Sequence, residues 1–183
     1  MVVFNRIWAM PSGDTFSIPP IYNLLGRTIT EGVWVDPFVR NSPFKSQMTF
    51  TNDLNPRFPA THHMDALDFL KSLPDKSVDG ILFDPPYSPR QIKECYQGVG
   101  LKVTMEDTQS SFWGNLKREM ARISKDETII VCFGWNSGGV GKKLGGCLVE
   151  VLMVPHGGTH NDTIVTVEKM RKQETDILDL FGV

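Results

Sequence analysis

The sequence has few cysteines, no long apolar run and almost no net charge. Its 183 residues include three cysteines, Cys95, Cys132 and Cys147. So small and odd a set is typical of a reducing cytosol rather than of a disulfide-stabilised secreted domain. No apolar run approaches the length of a membrane-spanning helix, and residues 1–10 lack a signal-peptide core. The net charge of −2 excludes a chain that is basic throughout, so contact with nucleic acid would depend on local patches. We therefore expect a cytoplasmic protein.

The hydrophobic content of 40% is sufficient for one domain with a buried core. Apolar segments of strand length alternate with segments of helical spacing. The predicted strands are 32–38, 50–53, 79–83, 128–134, 147–155 and 163–168, and the clearest predicted helices are 65–70 and 112–123. This alternation favours an α/β fold with a mostly parallel sheet, with the last two strands as an antiparallel pair at its edge. Without an internal repeat or linker, residues 1–183 are predicted to form a single domain that ends in an amphipathic segment at 176–183.

The most informative stretch is Asp84-Pro85-Pro86-Tyr87, which directly follows the apolar segment 78–83. Ligands of open α/β sheets bind at the carboxyl ends of the strands. An acceptor-only carboxylate and rigid carbonyls suit the two N–H groups of an exocyclic amine, and the tyrosine ring suits the face of a planar base. The alternative is a plain turn, because Asp-Pro and Pro-Pro are common in turns. We favour the base-binding interpretation.

Four acids follow successive predicted elements: Asp36, Asp53, Asp65 and Asp84. In a doubly wound sheet such positions converge at one edge, where an acid after the second strand can bind ribose hydroxyls. An acid before a helix can contact an adenine amino group, although aspartate also simply caps many helices. The order of the four acids favours a nucleotide-like ligand.

With these residues the sequence resembles the S-adenosylmethionine-dependent DNA adenine N6 methyltransferases, and in particular a small phage-type subgroup. The catalytic motif of that family, Asp-Pro-Pro-Tyr, matches residues 84–87 without change. Asp36-Pro37-Phe38 resembles the start of its cofactor motif, and segment 15–21 resembles the arm that closes over the methionine. There is one departure, because the family has a glycine-rich turn after this phenylalanine, whereas residues 39–44 contain no glycine.

The resemblance implies a Rossmann-like class I methyltransferase fold, S-adenosylmethionine as cofactor and no metal. It implies a cofactor site of Phe16, Ile18, Asp36, Pro37, Phe38, Asn52, Asp53, Leu54, Asp65, Ala66 and Asp84, with Asp84, Pro85, Pro86 and Tyr87 as the catalytic motif. The implied reaction is direct methyl transfer to the N6 amino group of adenine in DNA, after the base has left the stack. The implied location is the cytoplasm of a bacterial or phage-infected cell.

Two other classes of function remain open on the sequence. Related enzymes use Asp-Pro-Pro and an aromatic residue on adenine or guanine of RNA, so RNA is the alternative substrate. The absence of glycine after Phe38 would permit a non-catalytic nucleotide-binding module. Segments 88–111 and 137–162 leave little room for base recognition, so we predict no separate target-recognition domain. Two alternatives stay open: the recognition sequence is short or loosely specified, or a homodimer or a partner protein supplies further specificity.

Four cations are predicted to face nucleic acid at one cleft, because both of their segments leave the carboxyl ends of predicted strands. These residues are Arg90, Lys93, Lys142 and Lys143. The glycine-rich segment 137–146 lacks the glycine, lysine and hydroxyl spacing of a phosphate-binding P-loop. His156 and His160 are four residues apart, but without a third ligand nearby we do not predict a metal site.

Overall fold

One seven-stranded sheet forms the centre of the computed structural model, which describes residues 1–104 and 110–171. The strands are β1 (Val3–Arg6), β2 (Trp34–Asp36), β3 (Phe50–Thr51), β4 (Val78–Phe83), β5 (Ser124–Gly134), β6 (Gly146–Val154) and β7 (Thr163–Met170). The α-helices of the described residues are α1 (Pro19–Thr28), α2 (Ala66–Ser72), α3 (Pro89–Gly98) and α4 (Ser110–Ile123). The predicted amphipathic segment at 176–183 lies outside the described residues.

The strand order is β1-β6-β7-β5-β4-β2-β3. Strand β7 is antiparallel to both of its neighbours, and all the other pairs are parallel. The predicted α/β fold with a mostly parallel sheet and one antiparallel hairpin is therefore confirmed. The hairpin is not the outermost element, however, because β1 pairs with β6, with Val3 opposite Glu150. Because β1 is short and mostly exposed, it lacks the alternation of buried and exposed residues by which a strand is recognised.

The helices cover both faces of the sheet. On one face, α2 and α4 bury Phe69, Leu116 and Met120 against the strands. On the other face, α1 buries Ile21 and Leu24. In α2 and α4 the spacing of these residues is the helical periodicity seen in the sequence, and their burial contributes to the two apolar clusters of the core.

The packing at the centre of the sheet requires a glycine, Gly80, next to the large side chain of Trp34. Trp34 of β2 is fully buried and lies opposite Gly80 of β4 in the parallel register. A Cβ atom on Gly80 would lie 2.2 Å from the indole ring, so any larger residue would displace the tryptophan. This contact holds β2 against β4, the two strands whose carboxyl ends carry Asp36 and Asp84.

Capping residues determine where the helices near the carboxyl ends of these strands begin. Asp65 caps α2, as predicted, and its Oδ1 accepts a hydrogen bond from the amide of Leu67 at 2.8 Å. Ser88 caps α3, and Pro89 occupies the first helical position, where no amide hydrogen is needed. Within the described ranges, no helix is long and apolar enough to cross a bilayer.

Candidate active site

A cleft of about 620 Å³ opens at the carboxyl ends of β2, β3 and β4. Most of the residues predicted for the cofactor and catalytic sites line it. They are Pro37, Phe38, Asn52, Asp53, Leu54, Asp65, Ala66, Asp84, Pro85, Pro86 and Tyr87. The predicted convergence of the strand ends therefore brings the two sets of residues together in one cavity.

The N-terminal arm contributes different residues from those predicted. Ser12, Gly13 and Thr15 line the cleft, whereas Ile18 is buried in the core. Phe16 is also buried and packs on the core, although it borders a small side cavity next to the cleft. The apolar residues of this arm anchor it, and the short polar residues before them are too common in loops to have been singled out.

Asp36 ends β2 as a fully buried acid and does not line the cleft itself. Its Oδ1 accepts a hydrogen bond from the amide of Phe38 at 2.9 Å, but its Oδ2 has no hydrogen-bond partner. Burial raises the pKa of Asp36 to about 8, and the charges of Asp84 and Asp53 add to the rise. A buried polar atom without a partner is costly, and such exceptions are concentrated at functional sites.

Asn52 ties together the three loops that form one wall of the cleft. Its side-chain amide donates to the carbonyl oxygens of Pro37 and Met64, at 3.2 and 3.0 Å. The amide oxygen accepts from the backbone of Met64 at 3.1 Å. Since these bonds use both ends of the side chain, Asn52 acts mainly as a positioning residue for the cleft.

Asp53 and Asp65 also organise the backbone around them. Asp53 accepts hydrogen bonds from the amides of Arg40 and Asn55, at 3.0 and 2.8 Å. Asp65 caps α2 with one oxygen and accepts from the hydroxyl of Tyr96 on α3 with the other. Both carboxylates line the cleft, and a carboxylate oxygen can accept more than one hydrogen bond. The two acids therefore combine a structural role with acceptor capacity toward a ligand.

Asp84 lies at the carboxyl end of β4 and is held by two side chains. The hydroxyl of Tyr87 donates to its Oδ1, and Thr15 of the N-terminal arm is its other side-chain partner. Burial raises the pKa of Asp84 above its usual range, and these two hydrogen bonds oppose the rise. Burial and the neighbouring Asp84 raise the pKa of Tyr87 well above 10, so the phenol keeps its proton at neutral pH.

A second cleft, of about 330 Å³, lies on the other side of the motif. Its lining includes the aromatic side chains of Tyr87, Trp113, Phe133 and Trp135. Pro85 and Tyr87 line both clefts, so the motif forms part of the wall between them. The rings of Tyr87 and Trp135 meet edge to face at 5.6 Å, and the indole of Trp113 donates to the carbonyl of Pro86 at 3.0 Å.

Several solved structures with this architecture are methyltransferases. A SAM dependent methyltransferase from Archaeoglobus fulgidus matches with a TM-score of 0.56 and 11% identity over 82% of this chain and 91% of that chain. N-methyltransferase NodS from Bradyrhizobium japonicum WM9, in complex with S-adenosyl-L-homocysteine, matches with a TM-score of 0.55 and 10% identity over 87% and 89%. The 1,6-didemethyltoxoflavin-N1-methyltransferase of Burkholderia thailandensis, also with S-adenosylhomocysteine, matches with a TM-score of 0.54 and 11% identity over 84% and 77%.

The chain has the Rossmann-like methyltransferase fold. No protein-family model matches the sequence, and no curated protein matches it either. The likeness to the solved structures therefore lies in the order and direction of the strands rather than in their residues.

The methyltransferase fold separates the two pairs of cations that were predicted to share one cleft. Arg90 and Lys93 are exposed on α3, the helix that lines the larger cleft through Gln91. Lys142 and Lys143 lie at the opposite end of the strands from the clefts. There, Lys143 borders a cavity with residues at the start of β5. The expectation was wrong for this pair, because the chain runs back along the sheet from the carboxyl end of β5 before β6 begins.

Two polar features outside the clefts have structural explanations. The carboxylate of Glu168 accepts from the amides of Val140 and Gly141, so the glycine-rich segment binds an acid of its own chain instead of a phosphate. His156 is buried, and its two ring nitrogens lie 2.9 Å from the carbonyl of Ala9 and from the hydroxyl of Thr163. This histidine holds the N-terminal arm to the hairpin.

Sequence reasoning missed the aromatic wall of the smaller cleft. Trp113 belongs to a helix whose apolar periodicity is fully explained by packing, and Trp135 follows β5 in a polar, glycine-rich segment. One signal was available, because a buried indole N–H usually finds a hydrogen-bond partner, although that of Trp34 has none. This tendency does not say which group the partner is, and the tertiary structure places the partner of Trp113 at Pro86.

Proposed function

We propose that this protein transfers a methyl group from S-adenosylmethionine to the N6 amino group of adenine in DNA. The observation that carries the proposal is the position of residues 84–87 between two clefts. Pro85 and Tyr87 line both cavities, and Asp84 lies on the wall of the larger one. Methyl transfer requires that the methyl donor and the methyl acceptor are bound next to each other and aligned. A motif that lines both clefts can contact both molecules.

The lining of the larger cleft fits the cofactor. Asp53 presents a carboxylate suited to ribose hydroxyls, and Leu54, Phe58 and Ala66 supply apolar surface for an adenine ring. The carboxylates of Asp53 and Asp65 on the lining suit a ligand with positive charge. S-adenosylmethionine supplies an electrophilic methyl group on a positively charged sulfur when it is bound.

The smaller cleft supports a single aromatic base as the acceptor. Its volume of about 330 Å³ and its tyrosine and tryptophan walls suit one planar ring rather than a base pair. A base of duplex DNA would therefore have to leave the stack before it reaches the motif. Tyr87 and the half-exposed Trp135 are the side chains that we assign to stacking.

Asp84 and the carbonyl of Pro85 are the acceptors that we assign to the target amine. The Pro86 carbonyl already accepts from Trp113, which leaves the preceding carbonyl as the second acceptor of the motif. Two acceptors would hold both amine hydrogens and orient the nitrogen toward the methyl group. The pKa of Asp84, which burial raises, makes its carboxylate a better proton acceptor for an amine that gains positive charge during transfer.

The test is methyl transfer to defined nucleic acids. Purified protein is incubated with S-adenosylmethionine and either unmethylated DNA or RNA of the same sequence, and the digested nucleosides are identified by mass spectrometry. We expect N6-methyladenine in DNA, and its absence when the Asp84→Ala variant replaces the wild type.

The other outcomes decide between the alternatives. A methylated base in RNA alone would establish the RNA enzyme and overturn the DNA proposal. Cofactor binding without transfer to either nucleic acid would indicate a binding module. A protein that does not bind S-adenosylmethionine would overturn the proposal altogether.

A further inference from the structure

Arg40 occupies the turn after β2 in a backbone conformation that normally favours glycine. Its φ angle is +39°, in the left-handed region. Two contacts hold this conformation: the amide of Arg40 donates to Asp53 at 3.0 Å, and its carbonyl accepts from the side chain of Lys45 at 3.0 Å. An arginine that is kept at an unfavourable backbone position suggests that its side chain is used.

The side chain of Arg40 reaches the cleft. Its guanidinium carbon lies 5.6 Å from the centre of the Phe58 ring, and both residues line the larger cavity. Arg40 also lines a small side cavity that is bounded by segments 13–16 and 38–43 and by Asp84. The guanidinium is thus within the region where the proposed cofactor would meet the N-terminal arm.

The charges of the lining indicate what Arg40 can bind. Four acids line the larger cleft: Asp53, Asp65, Asp84 and Glu94. Among the described residues of that lining, Arg40 is the only lysine or arginine. The cofactor carries a sulfonium and an ammonium group, which suit the acids, and a single carboxylate, which needs a cation. A guanidinium can bind a carboxylate with two parallel hydrogen bonds.

We propose that Arg40 binds the carboxylate at the amino-acid end of S-adenosylmethionine. The inference rests on the proposed cofactor but not on the methyl acceptor. A side-chain cation then replaces the close backbone approach that glycines would provide in this turn, and the strained φ angle is the structural cost of placing it there. Arg40 is accordingly a cofactor-binding residue rather than a catalytic one.

The test compares two ligands on the wild type and on Arg40→Gly by calorimetry. One ligand is S-adenosylmethionine, and the other is its decarboxylated analogue, which keeps both cationic groups. We expect the wild type to prefer the carboxylated ligand by roughly 10- to 100-fold, the range of a charge-assisted hydrogen bond. The preference should disappear in Arg40→Gly and be partly kept in Arg40→Lys.

Two controls separate binding from folding. Arg40→Gly should melt at the same or a higher temperature than the wild type, because glycine adopts a positive φ without strain. Arg57→Ala removes an exposed arginine that does not line the cleft and should leave both affinities unchanged.

Each failure has a distinct signature. Equal affinity of the wild type for the two ligands would overturn the role of Arg40 and leave the cofactor proposal intact. An unchanged ligand preference in Arg40→Gly, together with weaker salt-dependent DNA binding, would assign the arginine to a phosphate instead. Absence of binding of either ligand to the wild type would overturn the proposed function itself.

Discussion

Two groups of buried or partly buried acids in this protein are used in opposite ways. In the hairpin half of the sheet, Glu168 accepts hydrogen bonds from two backbone amides, and Glu150 accepts from two side chains. At the cleft, Asp36 keeps one oxygen without a partner, and burial raises the pKa of both Asp36 and Asp84. All four side chains are acids in or beside one sheet, yet among them only Asp36 has a buried oxygen for which the described residues supply no hydrogen-bond partner.

The difference shows how a buried carboxylate can be assigned to folding or to function. An acid whose acceptor capacity is filled by the chain stabilises the fold, because its removal leaves buried donors without partners. When an acid is buried without enough hydrogen bonds or opposite charges around it, its ionised form is destabilised. Its remaining acceptor positions are then available to a ligand. We therefore expect substitutions in the hairpin to reduce stability, and substitutions at the cleft to reduce activity or to change the pH dependence.

The largest effect is expected at Asp84. Asp84→Ala should lower the single-turnover rate of methyl transfer by roughly 10²–10³, because it removes a contact that strengthens as the amine gains charge. Its stability to urea should change little, because the gain from removing a desolvated carboxyl opposes the loss of the hydrogen bonds from Tyr87 and Thr15, and no large core cavity forms. Asp68→Ala, an exposed acid on α2, is the control and should transfer at the wild-type rate. A fast Asp84→Ala enzyme would remove this residue from the mechanism.

Asp36 should make stability depend on pH. Below 3.8 the carboxyl is protonated in both states, but between about 4 and about 8 it ionises only in the unfolded chain. The free energy of unfolding should therefore fall with rising pH, by about 1.4 kcal/mol per pH unit for this one group.

The measurement for Asp36 is urea unfolding at a series of pH values. Asp36→Asn should flatten the slope between pH 5 and 7, whereas Asp162→Asn, at an exposed position, should retain it. A wild type whose stability rises over this interval would contradict the assignment.

Glu168 provides the contrasting case in the hairpin. Glu168→Gln keeps the size of the side chain but places an amide group against one of the two backbone N–H donors. We expect a loss of about 1–3 kcal/mol in the free energy of unfolding, measured by urea denaturation, with unchanged cofactor affinity. The exposed Glu31→Gln is the control. If Glu168→Gln lost cofactor affinity but no stability, the division between structural and functional acids would fail.

The smallest effects are expected from the surface cations near the larger cleft. Arg90→Ala and Lys93→Ala should each lower the slope of log affinity for DNA against log salt by about one unit. Lys142→Ala is the comparison. Because Lys142 lies at the opposite end of the strands from the clefts, this substitution should leave the slope unchanged. An equal reduction in all three variants would show that the DNA path extends beyond the cleft.

Much of the larger cleft could be predicted because its residues follow local rules. Asp53 and Asp84 each follow an apolar strand, and Asp65 directly precedes a helix, so a parallel sheet brings all three to one edge. The aromatic cleft followed no such rule. Phe133 is the last buried residue of β5 and Trp113 lies on an amphipathic helix, and both are explained equally well by packing.

The missing glycines show the limit of motif comparison. The sequence established that residues 39–44 contain no glycine, which left the shape of the turn open. In the structure, Arg40 adopts the left-handed φ angle itself, held by Asp53 and Lys45. Contacts from other segments can supply what local preference opposes, and these contacts are invisible along the chain.

The sequence by itself determined the alternating α/β pattern, the parallel strands with an acid at their ends and the Asp84-Pro85-Pro86-Tyr87 motif. Each of these depends on short-range periodicity, on chain direction or on a contiguous motif. Only the tertiary structure decided that the motif separates two clefts and that Glu168 accepts hydrogen bonds from the glycine-rich segment. It also decided that Lys142 and Lys143 lie far from the site. These features depend on where the chain turns back and on which distant groups satisfy one another, and a linear pattern carries neither kind of information.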